Sequence, residues 1–402
     1  MTSGQGLEPE QVWEDPPVGP SPFGSDPTTA SIGFDTGKPA GSASPLTWAQ
    51  SQYARLALAI STGRDLETPG IVTRRYVTHG PPGTLALTVA APALSGSTAT
   101  VSGTTTAGAT VVAEALSRIG GKPSIASTTA GPSGDWTLSL PVGFGSTTIT
   151  VTATLGRSTG YAQRTITDVA LPGNSVLDVT DPDGDDNGPG TYQYPTAPDF
   201  HAGAFDLERF RVNEDGTNVY LQVTLRNLDQ TFGSPFGAQL LDVYVHQPGA
   251  TSTSTGAAAS TFNYSVAPAW SERLEAQGFA PRVWVGATNT QLGAAQFVPD
   301  QASRTATLIL PESTFGKPGS GWAFAVALTG QDGFSSDQAR SFAATPQPFQ
   351  FGVCAPGGTS PICSVNPATV PKVMDTVTPS GVSQATELDP THGPVVLQGV
   401  SP

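Results

Sequence analysis

The densest group of chemically active side chains lies in the segment DPDGDDNGPGTYQYP, residues 181–195. Four oxygen-bearing side chains occupy every second position of this glycine-rich loop: Asp181, Asp183, Asp185 and Asn187. Ca²⁺ prefers such hard oxygen ligands. The segment is not an EF-hand, because Asp186 and Tyr192 stand where the tight-turn glycine and the bidentate glutamate belong. Two interpretations stay open, a Ca²⁺ site and a solvated turn whose acidic side chains cap the backbone.

Aromatic side chains are a second group that could bind a ligand, because a flat ring stacks on the apolar C–H face of a sugar. Tyr192 and Tyr194 lie in the acidic loop, and we expect them to bind carbohydrate in this way. Trp284 and Trp322 lie inside predicted strands, where burial is the expected state of a large ring. The two tyrosines are therefore the predicted sugar-binding residues of this region.

A third group lies near the start of the chain, in GLEPEQVWEDPP. Four carboxylates flank Trp13 in this segment: Glu8, Glu10, Glu14 and Asp15. A glycosidase needs two carboxylates as acid and base beside the sugar. An acidic surface loop is the alternative interpretation of the same spacing.

Other reaction types lack their signatures in this sequence. The four histidines, at 79, 201, 246 and 392, have no local triad context, and no nucleophile elbow, phosphate loop or dinucleotide fingerprint occurs. The two cysteines, Cys354 and Cys363, are too few for a zinc site. We expect them to form a disulfide if the protein is exported, and to be free thiols in a cytosolic protein.

One amphipathic helix is predicted over residues 44–62. Ser44 is placed as its N-cap and Pro45 as its first helical residue. Apolar residues then recur at spacings of three and four until Gly63: Leu46, Ala49, Tyr53, Leu56 and Ile60. The rest of residues 1–80 is loop.

From residue 82 to 170, short runs of alternating side chains recur about every ten residues and predict a small, immunoglobulin-like β-sandwich with Trp136 in its core. The runs are LALTV (85–89), ATVSGT (99–104), TVVAEA (110–115), DWTLSL (135–140) and TTITVTAT (147–154).

Residues 173–402 predict a larger β-sandwich, with an irregular tail after about residue 365. Its strands are expected at FDLERFRV (205–212), 219–225, QLLDVYVH (239–246), RVWVG (282–286), TATLILP (305–311) and WAFAVALT (322–329).

Composition supports a mainly β protein and excludes some partners. The chain of 402 residues has 46 Gly and 37 Pro, which favour turns over long helices. A net charge of −14 without a basic patch argues against nucleic acid. No apolar run is long enough for a membrane span, and the first residues, MTSGQGLEPEQ, do not form a signal peptide.

Three segments resemble one family of enzymes. GLEPEQVWED, then PFGSDPTTASIGF and SPLTWAQSQYARL, resemble the end of the catalytic domain of bacterial glucoamylases and glucodextranases, glycoside hydrolase family 15. Residues 82–170 resemble domain B of glucodextranase. Residues from about 175 resemble its C-terminal module, on the motifs DPxGDDNGPGTYxYPT and GAFDLxRF.

The resemblance implies an (α/α)6 catalytic barrel and an inverting mechanism, in which one carboxyl protonates the glycosidic oxygen and another activates water. Glu10 matches the general base, with Gln11 and Trp13 beside it at the substrate. The general acid and most of the barrel have no counterpart here. We therefore expect the C-terminal portion of a secreted exo-acting α-glucan hydrolase, at the cell surface or extracellular, and inactive by itself.

Two alternatives to the enzyme fragment stay open. The chain can be a non-catalytic carbohydrate-binding or cell-surface-attachment protein, or its β domains can be structural spacers. The expected partner is an α-glucan or a cell-surface polysaccharide. The sequence specifies neither the α-1,4 or α-1,6 linkage nor the oligomeric state.

Overall fold

The computed structural model describes most of the chain. The described residues are 9–17, 19, 34–39, 46–64, 68–78, 83–116, 122–256, 261–279 and 283–402. They belong to two compact units, Met1–Gly83 and Thr84–Pro402. Glu8, Ser44, Pro45 and His79, all named above, lie outside the described residues.

The first unit contains helix α1 (Thr47–Thr62) and the short helix α2 (Gly70–Val72), which continues as a π-helix over Thr73–Thr78. The helix predicted from the apolar stripe is confirmed, and it ends at Gly63, whose φ of 64° suits a residue without Cβ. Its predicted start is wrong, because the helix begins at Thr47 and the extended residue Leu46 is its N-cap. No residue of α1 is buried. Its stripe, with Tyr53, Leu56 and Ile60, is exposed within this unit.

The described residues of the second unit form the strands, two short α-helices and two 3₁₀ turns. The strands are β1 (Thr88–Val89), β2 (Ala93–Ser95), β3 (Thr98–Thr104), β4 (Thr110–Ala115), β5 (Ser124–Thr129), β6 (Asp135–Pro141), β7 (Gly145–Leu155), β8 (Ser158–Val169), β9 (Asn174–Thr180), β10 (Leu207–Glu214), β11 (Asn218–Leu225), β12 (Gln239–His246), β13 (Ser265–Ala267), β14 (Glu272–Gln277), β15 (Val283–Gly286), β16 (Gln296–Asp300), β17 (Thr305–Pro311), β18 (Ala323–Gly330), β19 (Phe342–Ala343), β20 (Phe351–Gly352), β21 (Asp375–Thr376) and β22 (Val396–Gln398). The helices are α3 (Glu312–Phe315) and α4 (Gln384–Glu387), and the 3₁₀ turns are Pro361–Ser364 and Pro390–His392.

Strands β1 to β8 form a small sandwich. One sheet has the order β1-β3-β2, with β6 also paired to β3, and the other has the order β5-β4-β7-β8. Side chains along β6 alternate between exposed and buried, which is the period of two expected for a strand with one face on a core. Trp136 is buried in this core, as predicted.

Strands from β9 onward form the larger sandwich, which we call the C-terminal module. Its two main sheets have the orders β16-β17-β11-β10-β9 and β15-β14-β12-β18-β21. Strand β18 is buried along its whole length, because a second apolar cluster covers the outer face of its sheet. Trp270, Trp284 and Trp322 are buried in the module.

The tail after residue 365 differs from the irregular segment that the sequence predicted. Strand β21 pairs with β18, and β22 pairs in parallel with β13. Val373, Leu388 and Leu397 are buried in the outer apolar cluster. These strands escaped prediction because they have only two or three residues each, too few to show a period.

The small sandwich packs on the C-terminal module within the second unit. Phe144 and Leu171 meet Tyr220 and two further apolar residues of the module in a small buried cluster. Beside it, the carboxylate of Asp300 accepts hydrogen bonds from the backbone N–H and the hydroxyl of Ser146. This contact is both apolar and hydrogen-bonded.

The fold is therefore mainly β, with sandwich-like domains and a short helical segment at the N-terminus. Among the described residues, no helix combines the length and apolarity that crossing a membrane requires.

Candidate carbohydrate-binding cleft and acidic cluster

Three carboxylates from distant parts of the chain meet at one point of the C-terminal module. Oxygen atoms of Asp181, Asp185 and Asp375 all lie within 4.8 Å of one another. Asp181 directly follows β9, and Asp375 begins β21. We call these three residues the acidic cluster. The pairing of β21 with β18 brings Asp375 there, so only the fold could reveal this member.

Asp206 connects the acidic cluster to strand β10. It is fully buried, and its Oδ2 accepts a hydrogen bond of 2.9 Å from the backbone N–H of Gly184. The next residue, Leu207, donates its N–H to Oδ2 of Asp375 at 2.6 Å. Three buried carboxylate oxygens at this place have no hydrogen-bond partner among the described residues: Asp181 Oδ2, Asp185 Oδ1 and Asp206 Oδ1.

Burial and mutual repulsion disfavour the charged forms of these groups. Burial, followed by repulsion from Asp185, raises the pKa of Asp181 to about 8. Burial also raises the pKa of Asp206 to about 6, and it raises the pKa of Asp375 well above the usual value, with Asp181 adding to the effect. A hard cation would remove this repulsion and supply partners for the orphaned oxygens.

The structure changes part of the predicted ligand set. Asp183 is not one of the three clustered carboxylates and forms an exposed ion pair with Arg226 at 2.8 Å, so its role as a ligand stays a prediction. Asn187 closes the turn with its backbone carbonyl, which accepts the N–H of Gly190 at 3.0 Å. The role of the Asn187 side chain stays a prediction.

The two predicted sugar-binding tyrosines both form hydrogen bonds through their hydroxyls. Tyr192 is buried, and its hydroxyl donates to the carbonyl of Pro371 at 3.0 Å. The hydroxyl of Tyr194 donates to Asp186 and accepts the N–H of Phe205 at 3.0 Å. The burial of Tyr192 contradicts its prediction as a sugar platform. Tyr194 is only partly buried, against Phe205, so its role as a sugar platform stays a prediction.

The segment with the predicted catalytic base is described from residue 9 onward. Glu10 and Gln11 are exposed. Trp13 stacks on Phe34 with ring centroids 5.0 Å apart, and its indole N–H donates to the carbonyl of Pro16 at 2.9 Å. The catalytic role of Glu10 and the substrate roles of Gln11 and Trp13 stay predictions.

The two cysteines lie in the C-terminal module. Cys354 and Cys363 form a disulfide that closes a short loop against the main core of the module. The 3₁₀ turn Pro361–Ser364 contains the second cysteine. The crosslink therefore joins the segment after β20 to the start of the tail.

Exposed aromatic side chains meet elsewhere in the module, at a cleft of about 590 Å³. Four of its lining residues are exposed phenylalanines: Phe232, Phe279, Phe334 and Phe349. We call this surface the phenylalanine cleft. Phe334 is 86% exposed, which is unusual for a large apolar residue unless it contacts a ligand or partner.

Tight turns hold two of these rings. Phe232 has a φ of 51°, a strained conformation for a bulky residue, in a turn closed by two hydrogen bonds between Thr231 and Ser234. Phe334 follows Asp332, whose Oδ1 accepts the N–H of Phe334 at 3.1 Å and the N–H of Ser335 at 2.9 Å. The rings are therefore presented by hydrogen-bonded turns.

Polar side chains complete the cleft, as in most ligand sites, where a few polar groups orient a ligand held by apolar walls. They are Gln331, Asp332, Arg340, Ser341 and Gln350. None of these polar residues and none of the four phenylalanines was predicted from the sequence. The available signal was a phenylalanine next to a glycine in a turn, as in Phe232-Gly233 and Gly333-Phe334.

Comparisons with known proteins place the module in a family. Residues 176–395 match the model of the C-terminal binding module, SLH-like, of glucodextranase. A comparison with curated proteins finds no match.

Likeness to solved structures is low. A tetra-tandem repeat from the extending region of a large adhesion protein is 15% identical with a TM-score of 0.22, over 62% of this chain and 45% of that one. The native conformation of E. coli alpha-2-macroglobulin is 13% identical with a TM-score of 0.19, over 62% of this chain and 16% of that one. This chain thus spans less than half of either structure, and scores at this level carry no functional argument.

The family model covers more than half of the chain and contains the acidic cluster and the phenylalanine cleft. The chain therefore belongs to the family of proteins that carry the glucodextranase-type C-terminal binding module.

Proposed function

We propose that the C-terminal module binds a polysaccharide in the phenylalanine cleft. The observation that carries this proposal is the convergence of four exposed phenylalanines, from separate segments, on one cleft with polar groups in its wall. Sugar rings have an apolar C–H face and a rim of hydroxyls, which suits such a lining. The family description as a binding module supports the same function.

We also propose a wider setting for the module. It serves a secreted, exo-acting α-glucan hydrolase of the glucoamylase or glucodextranase type and holds that enzyme on a polysaccharide at the cell surface. Glu10 is the proposed general base, with Gln11 and Trp13 at the substrate. No second carboxylate in the described part of the chain is assigned as the general acid. We therefore expect that this chain does not hydrolyse maltose or isomaltose. Release of glucose would overturn that expectation.

The acidic cluster is the proposed site of a structural Ca²⁺ ion. Asp181, Asp185 and Asp375 would hold it, and Asp206 lies beside them with an orphaned buried oxygen. When bound, the ion supplies positive charge to carboxylates that otherwise repel one another. Two hydrogen bonds within the chain, from Gly184 N–H to Asp206 and from Leu207 N–H to Asp375, join the acidic loop, β10 and β21 at this point.

Affinity electrophoresis tests polysaccharide binding directly. The chain runs in gels that contain starch, dextran or peptidoglycan, beside the variant Phe334→Ala and the matched control Tyr161→Ala. Both side chains are exposed, but Tyr161 lies on β8 in the small sandwich. We expect retardation in at least one gel, at least about tenfold weaker binding for Phe334→Ala because stacking is lost, and no effect of Tyr161→Ala. No retardation in any gel would favour the spacer interpretation.

Thermal melting tests the cation. Ca²⁺ should raise the melting temperature, because a ligand that binds only the folded state stabilises it, by about 2.7 kcal/mol at one hundred times Kd. Asp375→Asn should abolish the response, and the exposed control Asp229→Asn should retain it. An unchanged transition after chelation would favour a solvated turn.

A further inference from the structure

Arg340 lies in the wall of the phenylalanine cleft as a buried cation. Arg340 is only 6% exposed. Nη1 donates to the carbonyl of Phe349 at 2.8 Å, and Nη2 donates to the carbonyl of Gln331 at 2.6 Å. Its Nε is buried and has no hydrogen-bond partner among the described residues. The guanidinium is thus oriented by neutral groups alone.

Four other arginines of the module have carboxylate partners. They are Arg209, Arg226, Arg273 and Arg304, each with a carboxylate oxygen at 3.0 Å or less. Within the described part of the chain, Arg340 has no carboxylate within 4.0 Å, although the protein has 32 acidic residues. Asp332, which also lines the cleft, attracts the charge of Arg340 but lies beyond ion-pair distance. Oδ1 of Asp332 already accepts the N–H of Phe334.

A buried charge without a counter-ion is costly, and proteins usually pair it or use it in a ligand site. Burial lowers the pKa of Arg340 despite the opposing effect of Asp332, which agrees with incomplete compensation. The ring of Phe200 lies 4.8 Å from Cζ, and the ring of Phe232 lies 6.0 Å from it. These rings stabilise and position the cation, but they do not neutralise it.

We propose that the cleft binds a sugar that carries an acidic group, a carboxylate or a phosphate, with that group at Arg340 and the sugar ring against the exposed phenylalanines. Arginine is suited to this role because its planar guanidinium binds either anion through paired hydrogen bonds. This inference rests on the proposed polysaccharide binding. Of the two partners left open by the sequence, it selects an acidic cell-surface polysaccharide over a neutral α-glucan.

The test uses the full chain on an array of bacterial cell-surface polysaccharides. Each carboxylated polymer is printed beside its carboxyl-reduced form, and each phosphorylated polymer beside its dephosphorylated form, so that the members of a pair differ only in charge. The wild type should bind the acidic member of at least one pair about tenfold or more tightly than its neutral counterpart. The type of pair that responds identifies the acidic group.

Variants separate ligand recognition from folding. Arg340→Met should abolish the preference within the pair, and Arg340→Lys, which retains charge without the planar fork, should reduce it. Arg304→Met removes an arginine that is already paired with Glu208, so it should leave the preference unchanged. Melting curves show which variants are folded, and Arg340→Lys supplies the test if Arg340→Met unfolds.

The outcomes distinguish this inference from the function on which it rests. Equal wild-type binding of acidic and neutral members overturns the acidic ligand but leaves polysaccharide binding intact. A preference that persists in folded Arg340 variants also overturns the assignment to this residue. An absence of binding to every polymer overturns both proposals.

Discussion

The ion pair between Lys372 and Asp337 should contribute strongly to the stability of the segment that forms the cleft. Asp337 lies between Phe334 and Arg340, and Lys372 comes from the tail. Lys372 Nζ donates to Asp337 Oδ2 at 2.7 Å, where the two side chains are only 12% and 2% exposed. Lys372→Met would leave the carboxylate buried without its cation.

The size of the effect follows from this burial. Removal of one partner of a buried ion pair costs about 3–5 kcal/mol, because the remaining charge stays desolvated. At about 2–4 °C per kcal/mol for a domain of this size, the melting temperature should fall by about 6–20 °C. In the double variant Lys372→Met/Asp337→Asn the carboxylate charge is gone, but the side-chain oxygen Oδ1 at position 337 can still accept hydrogen bonds from the Ser335 hydroxyl and the Ala339 N–H. It should therefore be more stable than Lys372→Met alone.

The pKa of Asp337 predicts how the loss of stability in Lys372→Met should change with pH. Burial by itself raises the pKa of Asp337, but hydrogen bonds from Lys372 and Thr261 outweigh it and hold that pKa below its usual value. The pair therefore stabilises the wild type above the unfolded pKa, about 3.9, and this contribution is lost as pH falls through the folded pKa. In Lys372→Met, burial dominates and the pKa rises, so the stability deficit should shrink on acidification.

Urea unfolding at pH 7 and at about pH 4.5 measures both effects. The control is Arg209→Met, because Arg209 and its partner Asp178, 2.5 Å away, are both more than one third exposed. It should lose much less stability, since exposed pairs contribute little. A loss below about 1 kcal/mol for Lys372→Met, or one that does not change with pH, would refute the reasoning.

Three further predictions concern other parts of the second unit. Burial raises the pKa of Glu387 to about 7. Its contribution to stability is therefore present below about pH 4.5 and is lost as pH rises through about 7. Glu387→Gln does not ionise, so over this pH range it should lose about 1–2 kcal/mol less stability than the wild type in urea titrations. Asp300→Ala should cost about 1.5–3 kcal/mol and separate the melting of the two sandwiches, because it breaks the bonds to Ser146. The double variant Cys354→Ala/Cys363→Ala should lose about 2–3 kcal/mol, as expected for a loop of about ten residues.

Each of these predictions has a control. The pKa of Asp389 is lowered, so its carboxylate stabilises the fold at neutral pH and loses this effect on acidification. Asp389→Asn should therefore reduce stability at neutral pH, with a deficit that shrinks at acidic pH, whereas Glu387→Gln should increase stability at neutral pH. A single unchanged calorimetric transition in Asp300→Ala would contradict the role of that contact. A reductant should destabilise the wild type as much as the double cysteine variant is destabilised, and a difference would point to lost packing at Cys354.

The acidic cluster shows how far local sequence can lead. The alternating Asp and Asn residues correctly indicated a place where carboxylates gather, because loop oxygens close in sequence are close in space. Asp375 lies in another part of the chain and gave no signal, since only the pairing of β21 with β18 brings it there. The ion pair of Asp183 with Arg226 also joins residues distant in sequence, which the local pattern could not indicate.

Aromatic residues show the same limit. Their types indicate that they are buried or bind a ligand, but the surrounding fold decides between these two outcomes. Tyr192 lies in a glycine-rich loop and is nevertheless buried, because the tail covers it and accepts its hydroxyl through Pro371. Phe334 belongs to a residue type that is usually buried, but it is exposed in its turn.

By itself, the sequence determined the mainly β fold, helix α1 with its end at Gly63, and strands such as β6 and β12, because side-chain periodicity and turn residues act over a few positions. Tertiary structure alone decided which carboxylates meet, which aromatic rings stay exposed, and that Arg340 lies buried without an acidic partner among the described residues. These properties depend on burial and on distances between segments far apart in the chain, which local patterns do not encode.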